Sequence, residues 1–487
     1  MRSRYRGAGC ARSLLPVAAA ILALSGAPVF AQQTTTFDSL LEKLKDKGVL
    51  SQEEYDALKQ ARDEEVQEQR AERRRQALRQ AQEAEQKEKT KEAEAKATKF
   101  DVNPGVRSMQ LFGDVRVRYE SRSGDQDAQF GQPAKEQTRD RWRYAVRIGI
   151  RGELVDAWYY GLRLETSSSN RSTWVTFGGD AANGPSAKTD DTINVGWAYL
   201  GWRPTKWLDL TVGRMPNPFF TATSPLVWDP DINPEGFAER LNFALGDNTK
   251  LFGTFAQTLY QENNPDSTSN NLGFNGGDSY LLGYQVGIEQ KFKQEMSLKA
   301  AASWYQYEGT QTGLLAGPFS GQPGGNQVGI NNLSILDFPV EFNFPLFKQP
   351  AKLYGSFAMN LDGDARARAA GFPNAGNQDK AYLLGFAVGN LKKKRDWEAR
   401  VYYQRIGQYA LDPNLIDSDW FDARTNMEGW YLGAGYNITE AVFAAARYGW
   451  AKRADSSLGT GGCCGDLNQL TVLDNYQLLQ LDLGFRF

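Results

Sequence analysis

The chain ends with the stretch Asn475-Tyr-Gln-Leu-Leu-Gln-Leu-Asp-Leu-Gly-Phe-Arg-Phe487, in which apolar and polar residues alternate from Leu479 onward. Side chains of a β-strand point alternately to its two faces, so this pattern predicts a strand with one apolar face and one polar face. In a soluble sandwich the apolar face would meet a core. In a transmembrane barrel it would meet lipid, and the polar face would line the lumen. One strand alone leaves both folds open.

The composition of the 487-residue chain excludes several classes of protein. The formal charge of -2 does not indicate a basic surface for nucleic acid, so no nucleic-acid partner is expected. The sequence contains no histidine, which removes Ser-His-Asp catalysis, imidazole metal ligands and a histidine pH switch. Outside the N-terminus, no apolar run approaches the ~20 residues of a membrane helix. We expect no enzymatic activity, no cofactor and no metal site.

Residues 1–31 have the three parts of a secretory signal peptide. Four arginines in Arg2–Arg12 form a basic front, the apolar part is Leu14–Leu24, and Val29-Phe-Ala31 supplies small residues for cleavage. A short membrane anchor is the alternative. The export route is oxidising, so the adjacent pair Cys463-Cys464 could form a strained disulfide or remain an exposed loop pair.

Residues 32–102 differ in composition from everything that follows. A short amphipathic helix is predicted before Lys47-Gly48, and Ser51-Gln-Glu-Glu54 has the capping-box pattern of a second helix start. From Gln67 to Lys99 nearly every residue is Ala, Gln, Glu, Lys or Arg, which favours a helix but supplies no apolar seam. The segment is predicted to be helical and periplasmic, either as a coiled-coil stalk or as a solvated helix or disordered tether.

Residues 103–487 contain sixteen predicted strands, beginning with Gln110–Ser121 and Arg141–Glu153, and the gaps between them alternate between long loops and tight turns. An even strand count with long loops on one rim is typical of bacterial outer-membrane barrels. In the second strand, apolar residues from Trp142 to Ile150 alternate with arginines. An arginine facing lipid at the midplane costs about 2–4 kcal/mol, so these arginines must face a wet lumen. The sequence predicts an all-β transmembrane barrel of about 16 antiparallel strands.

The third long loop, Met215–Glu235, contains five prolines in 21 residues and is therefore expected to be ordered. Its acids Asp229, Asp231 and Glu235 could face a wall of lumenal arginines. Opposed charges across a narrow pore create a transverse field that selects among solutes. The alternative is that the arginines pair with lumenal glutamates (Glu120, Glu165 and Glu398) and only stabilise the barrel. The arginines predicted to line the lumen at mid-height are Arg116, Arg147, Arg163, Arg400 and Arg447.

Several stretches resemble a family of bacterial proteins called putative porins. They are Gly213-Arg-Met-Pro-Asn-Pro-Phe-Phe220, Leu226-Val-Trp-Asp-Pro-Asp-Ile-Asn-Pro-Glu-Gly236, Asp337-Phe-Pro-Val-Glu-Phe342 and Lys392-Lys-Lys-Arg-Asp-Trp-Glu-Ala-Arg-Val-Tyr-Tyr-Gln404. Lys47-Gly-Val-Leu-Ser-Gln-Glu-Glu54 is also similar to the periplasmic N-terminal segment of such porins and of phosphate-selective porins. The resemblance implies an outer-membrane diffusion channel, often trimeric, in which the third loop folds inward as the constriction. It implies no particular solute.

The terminal Phe487 resembles the last residue of the closing strand in bacterial outer-membrane proteins. This resemblance implies that Phe487 is a signal for the outer-membrane assembly machinery and that the closing strand pairs with the first strand, so that no sheet edge remains. The expected organisation is a signal peptide at 1–31, a periplasmic helical segment at 32–102 and an outer-membrane barrel at 103–487.

The sequence is compatible with four functions. The leading one is a passive porin for small hydrophilic solutes and ions, and the arginines make a substrate-selective anion channel the runner-up. A structural tether is a different class, in which the N-terminal helix binds peptidoglycan and the barrel serves as an anchor in outer-membrane lipid. The least favoured is a secreted β-propeller hydrolase that uses Asp229 and Asp231, because such a fold has no reason to sort its loops by length.

Overall fold

A computed structural model describes residues 39–97, 103–167, 172–179, 192–262, 278–309, 329–462 and 465–487. The chain divides into two compact units, Met1–Val102 and Asn103–Phe487. The expected signal peptide and the pair Cys463-Cys464 lie outside the described residues.

The first unit is helical in its described part. Helix α1 covers residues 39–46, and helix α2 is the 46-residue segment Gln52–Ala97. The predicted capping box starts α2: the Ser51 N–H donates to Glu54 Oε2 at 2.9 Å, and the Glu54 N–H donates to Ser51 Oγ at 3.2 Å. Within the described ranges, no helix is both long and apolar enough to cross a bilayer.

The second unit is one antiparallel sheet in which each strand pairs with the next and the last pairs with the first. The predicted barrel of sixteen strands is therefore confirmed. A further two-residue strand, Val175–Thr176, pairs with β2 beyond the end of β3. The sixteen strands are β1 Gln110–Gln126, β2 Lys135–Glu153, β3 Trp158–Ser167, β4 Thr192–Trp202, β5 Leu208–Arg214, β6 Glu235–Leu245, β7 Thr249–Gln261, β8 Ser279–Lys291, β9 Ser297–Glu308, β10 Ser334–Leu346, β11 Gln349–Asn360, β12 Lys380–Gly389, β13 Trp397–Ile406, β14 Met427–Asn437, β15 Val442–Arg453 and β16 Asn475–Arg486.

The seam between β1 and β16 runs in register from Asp114 opposite Arg486 to Asp125 opposite Asn475. Phe487 extends it, because Phe487 and Gly113 exchange two backbone hydrogen bonds of 3.0 Å each. The strands therefore leave no open edge, which is the condition for a sheet that crosses a bilayer.

The two faces of the wall differ as the alternation predicts. Outward-facing apolar side chains remain exposed, such as Trp142 at 54% and Leu483 at 55%. Inward-facing polar side chains are buried beneath the loops, such as Arg118 at 3% and Glu120 at 0%. This arrangement is that of a barrel whose apolar band meets lipid.

The first hairpin is longer than predicted. Strand β1 continues five residues beyond the predicted end at Ser121, to Gln126, and β2 begins at Lys135 rather than Arg141. The extra residues are polar on both faces, so the hydrophobic alternation that marks a strand is absent there. Their inward arginines are instead covered by loops from the other end of the chain.

A short helix, α3 Gly363–Ala369, follows β11 in the sixth long loop. We number the long loops along the chain, so that loop 3 is residues 215–234, loop 7 is 407–426 and loop 8 is 454–474. Apolar residues of loops 3, 7 and 8 form one buried cluster with inward-facing residues of the wall. The hydrophobic core of the second unit is thus formed by loops that lie inside the barrel.

Candidate functional site

Arginines from β1 and β2 face each other directly across the first hairpin. Arg118 is opposite Arg143, and Arg122 is opposite Arg139. Like charges placed opposite each other destabilise a strand pair. The wall can be stable in this form only if carboxylates are brought to these guanidinium groups.

Those carboxylates come from β1 itself, from β16 and from loops 7 and 8. We call the assembly of Arg118, Arg122, Arg141 and Arg143 with these acids the seam cluster. Arg118 lies 2.7 Å from Asp482 and 2.8 Å from Asp419, and Arg122 lies 2.6 Å from Asp419. The carboxylates of the seam cluster are Glu120, Asp419, Asp422, Asp466 and Asp482.

The protonation of the loop 7 acids follows from their neighbours. Burial alone would raise the pKa of Asp419, but the guanidinium groups of Arg118 and Arg122 outweigh it and hold the pKa well below its usual value. Among the residues that the structure describes, no guanidinium group plays this part for Asp417. Burial, together with the charge of Asp419, raises the pKa of Asp417 to about 6. One loop therefore holds one carboxylate that stays ionised and one whose pKa is raised to about 6.

The five arginines predicted from the sequence all point inward and all have a carboxylate nearby. Arg116 and Arg147 each lie 2.8 Å from Asp114. Arg163 pairs with Glu165 at 2.7 Å, and the closest approach of Arg400 to Glu398 is 4.0 Å. Arg447 pairs with Asp482. Pairing with lumenal glutamates, the alternative raised by the sequence, thus occurs for Arg163 and Arg400.

Four of these arginines are more exposed than the arginines of the seam cluster, and Arg163, with a side chain 9% exposed, is the exception. The side chains of Arg116 and Arg147 are 15% and 25% exposed, whereas that of Arg118 is 3% exposed. The guanidinium groups of Arg116 and Arg118 lie 4.7 and 3.8 Å from the ring of Trp174, a residue of the second long loop. Trp174 therefore lies at the boundary between the sealed cluster and the accessible arginines.

Loop 3 contacts inward-facing side chains on four consecutive strands, β8 to β11. The Phe220 N–H donates to Gln285 at 2.8 Å, and Phe219 packs edge-to-face on Tyr305 at 5.2 Å. Thr223 donates a hydrogen bond to Glu341, and Ser224 lies 3.2 Å from the Tyr354 hydroxyl. These bonds place the first half of loop 3 inside the strands, against one side of the wall.

The second half of loop 3 returns toward β2, which is eight strands from β10 in the closed sheet. Asp231 Oδ1 lies 4.0 Å from Arg147 Nη1. Asp229 bonds loop 7: its N–H donates to the Leu415 carbonyl at 2.6 Å, and its carboxylate accepts from the Ser418 N–H at 3.0 Å. Loop 3 therefore spans the space between opposite walls and is joined to loop 7 on the way.

The three predicted acids of loop 3 lie in three different settings. Asp231 is near the accessible arginines, and Asp229 is buried as an acceptor for loop 7. Glu235 begins β6 on the same face as the exposed Phe237, and it pairs with Arg214 at 3.0 Å. Of these three acids, only Asp231 lies within 4.0 Å of one of the five predicted arginines.

Loops 7 and 8 supply functional residues that the sequence reasoning did not single out. The acids Asp417, Asp419 and Asp422 stand close together around Trp420 and Phe421, and such a mixture is unusual for a solvated loop. This mixture of acids and aromatic residues, together with the closely spaced arginines of β2, is the sequence feature that could have predicted an inward-folded loop. In the described part of the chain, no group of three Cys, Asp or Glu residues could hold a metal ion.

One protein family and several solved structures match the chain. The family described as putative porin matches residues 75–317 and 329–461. Among solved structures, two mutants of the Rh. blastica porin are each 11% identical, with a TM-score of 0.38, and cover 78% of this chain and 100% of their own. A triple mutant of the Rhodopseudomonas blastica porin gives 11% identity and a TM-score of 0.37 over the same shares. No curated protein sequence matches. Because the family match extends over most of the chain, including most of the closed sheet, the chain belongs to the putative porin family.

Proposed function

We propose that the chain is a passive porin that forms a water-filled channel for small hydrophilic solutes and ions, with loop 3 as its constriction. The observation that carries the proposal is the approach of Asp231 to Arg147, 4.0 Å apart, in a loop that spans opposite walls. Arg116 lies beside Arg147, because both guanidinium groups contact Asp114. An acid of the loop and two arginines of the wall thus border the same passage.

Opposed charges at this point act on every ion that passes. Both arginines keep part of their side chains exposed, and an ion between them and Asp231 lies within one Debye length of both signs, about 8 Å at physiological salt. Low-dielectric walls focus the resulting field. Solutes are therefore sorted by charge and dipole as well as by size.

The test is the reversal potential of the purified, refolded protein in a planar bilayer under a salt gradient. Replacing Arg116 and Arg147 together by Gln should shift selectivity toward cations, and Asp231→Asn should shift it toward anions. Arg405→Gln is the matched control, because Arg405 stands at the far end of β13 beside Glu428 on the outward side. All shifts should shrink in molar salt, where charges are screened.

The outcomes separate the candidate functions. Unchanged reversal potentials in dilute salt, with conductance intact, would show that these residues do not border the passage. Asp229 is left out of this test because Asp229→Asn would also disturb the bonds to Leu415 and Ser418. A refolded barrel that never conducts would favour the structural tether.

A substrate-selective anion channel is the second candidate. Besides Arg116 and Arg147, the inward side chains of Arg400 and Arg447 are 31% and 22% exposed. Four partly exposed guanidinium groups therefore line the proposed passage, against the three partly exposed carboxylates of Asp114, Asp231 and Glu398. Anion block of the current would support this candidate, and equal permeability of matched anions and cations would contradict it.

The remaining assignments concern the placement of the chain. We propose that the short-turn rim faces the periplasm, with the helical segment on that side and available to peptidoglycan. A homotrimer in outer-membrane lipid is the proposed assembly. It is supported by Glu239, a carboxylate on the outward face of β6 between Leu210 and Phe255, which could meet a polar group of a second subunit. Cross-linking of detergent-solubilised protein tests the trimer.

A further inference from the structure

A cavity of about 450 Å³ lies at the short-turn end of the lumen, beneath the first residues of loop 3. This volume is in the range of small-molecule sites in proteins. The cavity is separate from the seam cluster and shares no residue with the loop 3 contacts to Arg147. The side chains that line it include those of Arg151, Arg203, Arg240, Tyr159 and Tyr199.

Two tyrosine rings lie flat along the wall of this cavity. Tyr199 is opposite Gly161 across the β3–β4 pair, and Tyr159 is opposite Gly201. A Cβ atom at Gly161 would come within 2.4 Å of the Tyr199 ring, and one at Gly201 within 2.0 Å of the Tyr159 ring. The glycines therefore let both rings press against the backbone of the neighbouring strand, which leaves room for a solute in front of the Tyr199 ring.

The cavity carries excess positive charge. Its guanidinium groups are those of Arg151, Arg203 and Arg240, and the nearby carboxylates are Asp209 and Glu153. Asp209 is occupied, because the Tyr159 hydroxyl donates to it and Arg203 lies 3.2 Å from it.

Arg151 differs from the other two arginines. Its Nε donates to Gln110 at 3.0 Å, and among the described residues no carboxylate lies within ion-pair distance of it. Arg203 also stacks on the Tyr159 ring at 4.2 Å, so cationic and aromatic surfaces alternate around the cavity.

We propose that this cavity is a binding subsite for small aromatic carboxylates that pass through the channel. The planar ring would lie against Tyr199, and the carboxylate would accept hydrogen bonds from the terminal nitrogens of Arg151, which match its two oxygens. A compact anion such as phosphate would use the arginine but not the ring. The proposal rests on the channel function above and names the class of solute that the same lumen takes.

The position of the cavity gives it a role in transport. A solute that has passed loop 3 meets this subsite last before the short-turn rim. Conduction requires binding that is favourable enough to attract the solute and weak enough to release it. Arg151 is exposed at the edge of the cavity, which suits such weak binding.

The experiment measures block of the ion current by benzoate added at the short-turn side of the refolded full-length protein in a planar bilayer. Cyclohexanecarboxylate has the same charge and a similar size but no flat aromatic face, and inorganic phosphate tests charge alone. We expect benzoate to block at a lower concentration than either. Block by phosphate at equal or lower concentration than benzoate would overturn the proposal.

Variants identify the residues. Arg151→Gln should weaken benzoate block about tenfold, equivalent to about 1.4 kcal/mol. Tyr199→Leu should weaken benzoate block without changing phosphate block, and Tyr199→Phe should retain it because the ring is kept. Lys348→Gln removes a cation from another short turn and should change nothing. Heat-dependent gel mobility verifies folding of every variant.

The failure of this subsite can be told apart from failure of the channel. If the protein conducts and the Arg147 and Asp231 variants shift selectivity, but benzoate block is equal in wild type, Arg151→Gln and Tyr199→Leu, the subsite is wrong and the channel stands. If the folded protein does not conduct, both fail.

Discussion

Asp419 is the carboxylate through which loop 7 is tied to the barrel wall, and its removal should release that loop. It lies 2.8 Å from Arg118, 2.6 Å from Arg122 and 3.0 Å from the Gln480 amide that donates to it. Removing one partner of a buried ion pair typically costs about 3–5 kcal/mol. The Asp419 side chain is 25% exposed, and both arginines keep other carboxylates, so we expect about 2–3 kcal/mol for Asp419→Asn.

The lost stability should appear as faster hydrogen exchange in loop 7, because the loop is released from the wall more often. Each 1.4 kcal/mol is a factor of ten in an equilibrium, so the population with loop 7 released should rise by about 30- to 150-fold. Hydrogen exchange followed by mass spectrometry measures this in the peptides that cover residues 407–426. Asp247→Asn, in an exposed turn, is the matched control and should leave exchange unchanged. Unaltered exchange of these peptides in a correctly folded Asp419→Asn barrel would refute the view that this carboxylate holds the loop.

Four further outcomes are expected. Because burial and the charges of Asp419 and Asp231 raise the pKa of Asp417 to about 6, above its value in a released loop, seating of loop 7 loses stability as pH rises through 6. Exchange in loop 7, corrected for its intrinsic rate, should therefore be slower at pH 5 than at pH 7, and Asp417→Asn should abolish the difference. Unboiled protein should migrate differently from boiled protein on an SDS gel, because a closed sheet resists the detergent; identical mobility after verified refolding would contradict the barrel. Deleting residues 33–99 should leave this heat-dependent mobility intact, and loss of folding would place the unit boundary elsewhere. Deleting Phe487 should lower the amount of barrel at the cell surface, whereas a normal yield would assign the assembly signal elsewhere.

The strands were predictable because lipid on one side and water on the other impose a period of two. Trp142 and Arg143 must face opposite ways in any barrel, and this can be predicted without information about the rest of the chain. The strand number followed from the alternation of long and short gaps. The inward direction of Arg116, Arg147 and Arg163 also followed from the lipid-facing neighbours of each.

The contacts of those arginines were not predictable in the same way. Asp419 and Arg122 are about 300 residues apart, and nothing in either segment states that loop 7 turns inward. For the same reason Glu235 could not be separated from Asp231 by composition. The outward direction of the Glu235 side chain depends on where β6 begins, and the exact ends of strands are the features that sequence patterns predict least well.

The seam cluster joins the first strand of the barrel to the last, and this has a consequence for biosynthesis. Glu120 on β1 and Gln480 on β16 share a hydrogen bond across 360 positions, so the partners of the earliest arginines are exported last. Until the closing strand arrives, Arg118 lacks Asp482, and no closed sheet holds the arginines of β1 and β2 beside the acids of loops 7 and 8. Loops 7 and 8 should therefore take their places inside the barrel at the same late step in which β16 pairs with β1. A nascent chain stalled before β16 would present a row of unmatched charges to periplasmic chaperones and proteases, which gives quality control a means to distinguish it from a finished molecule.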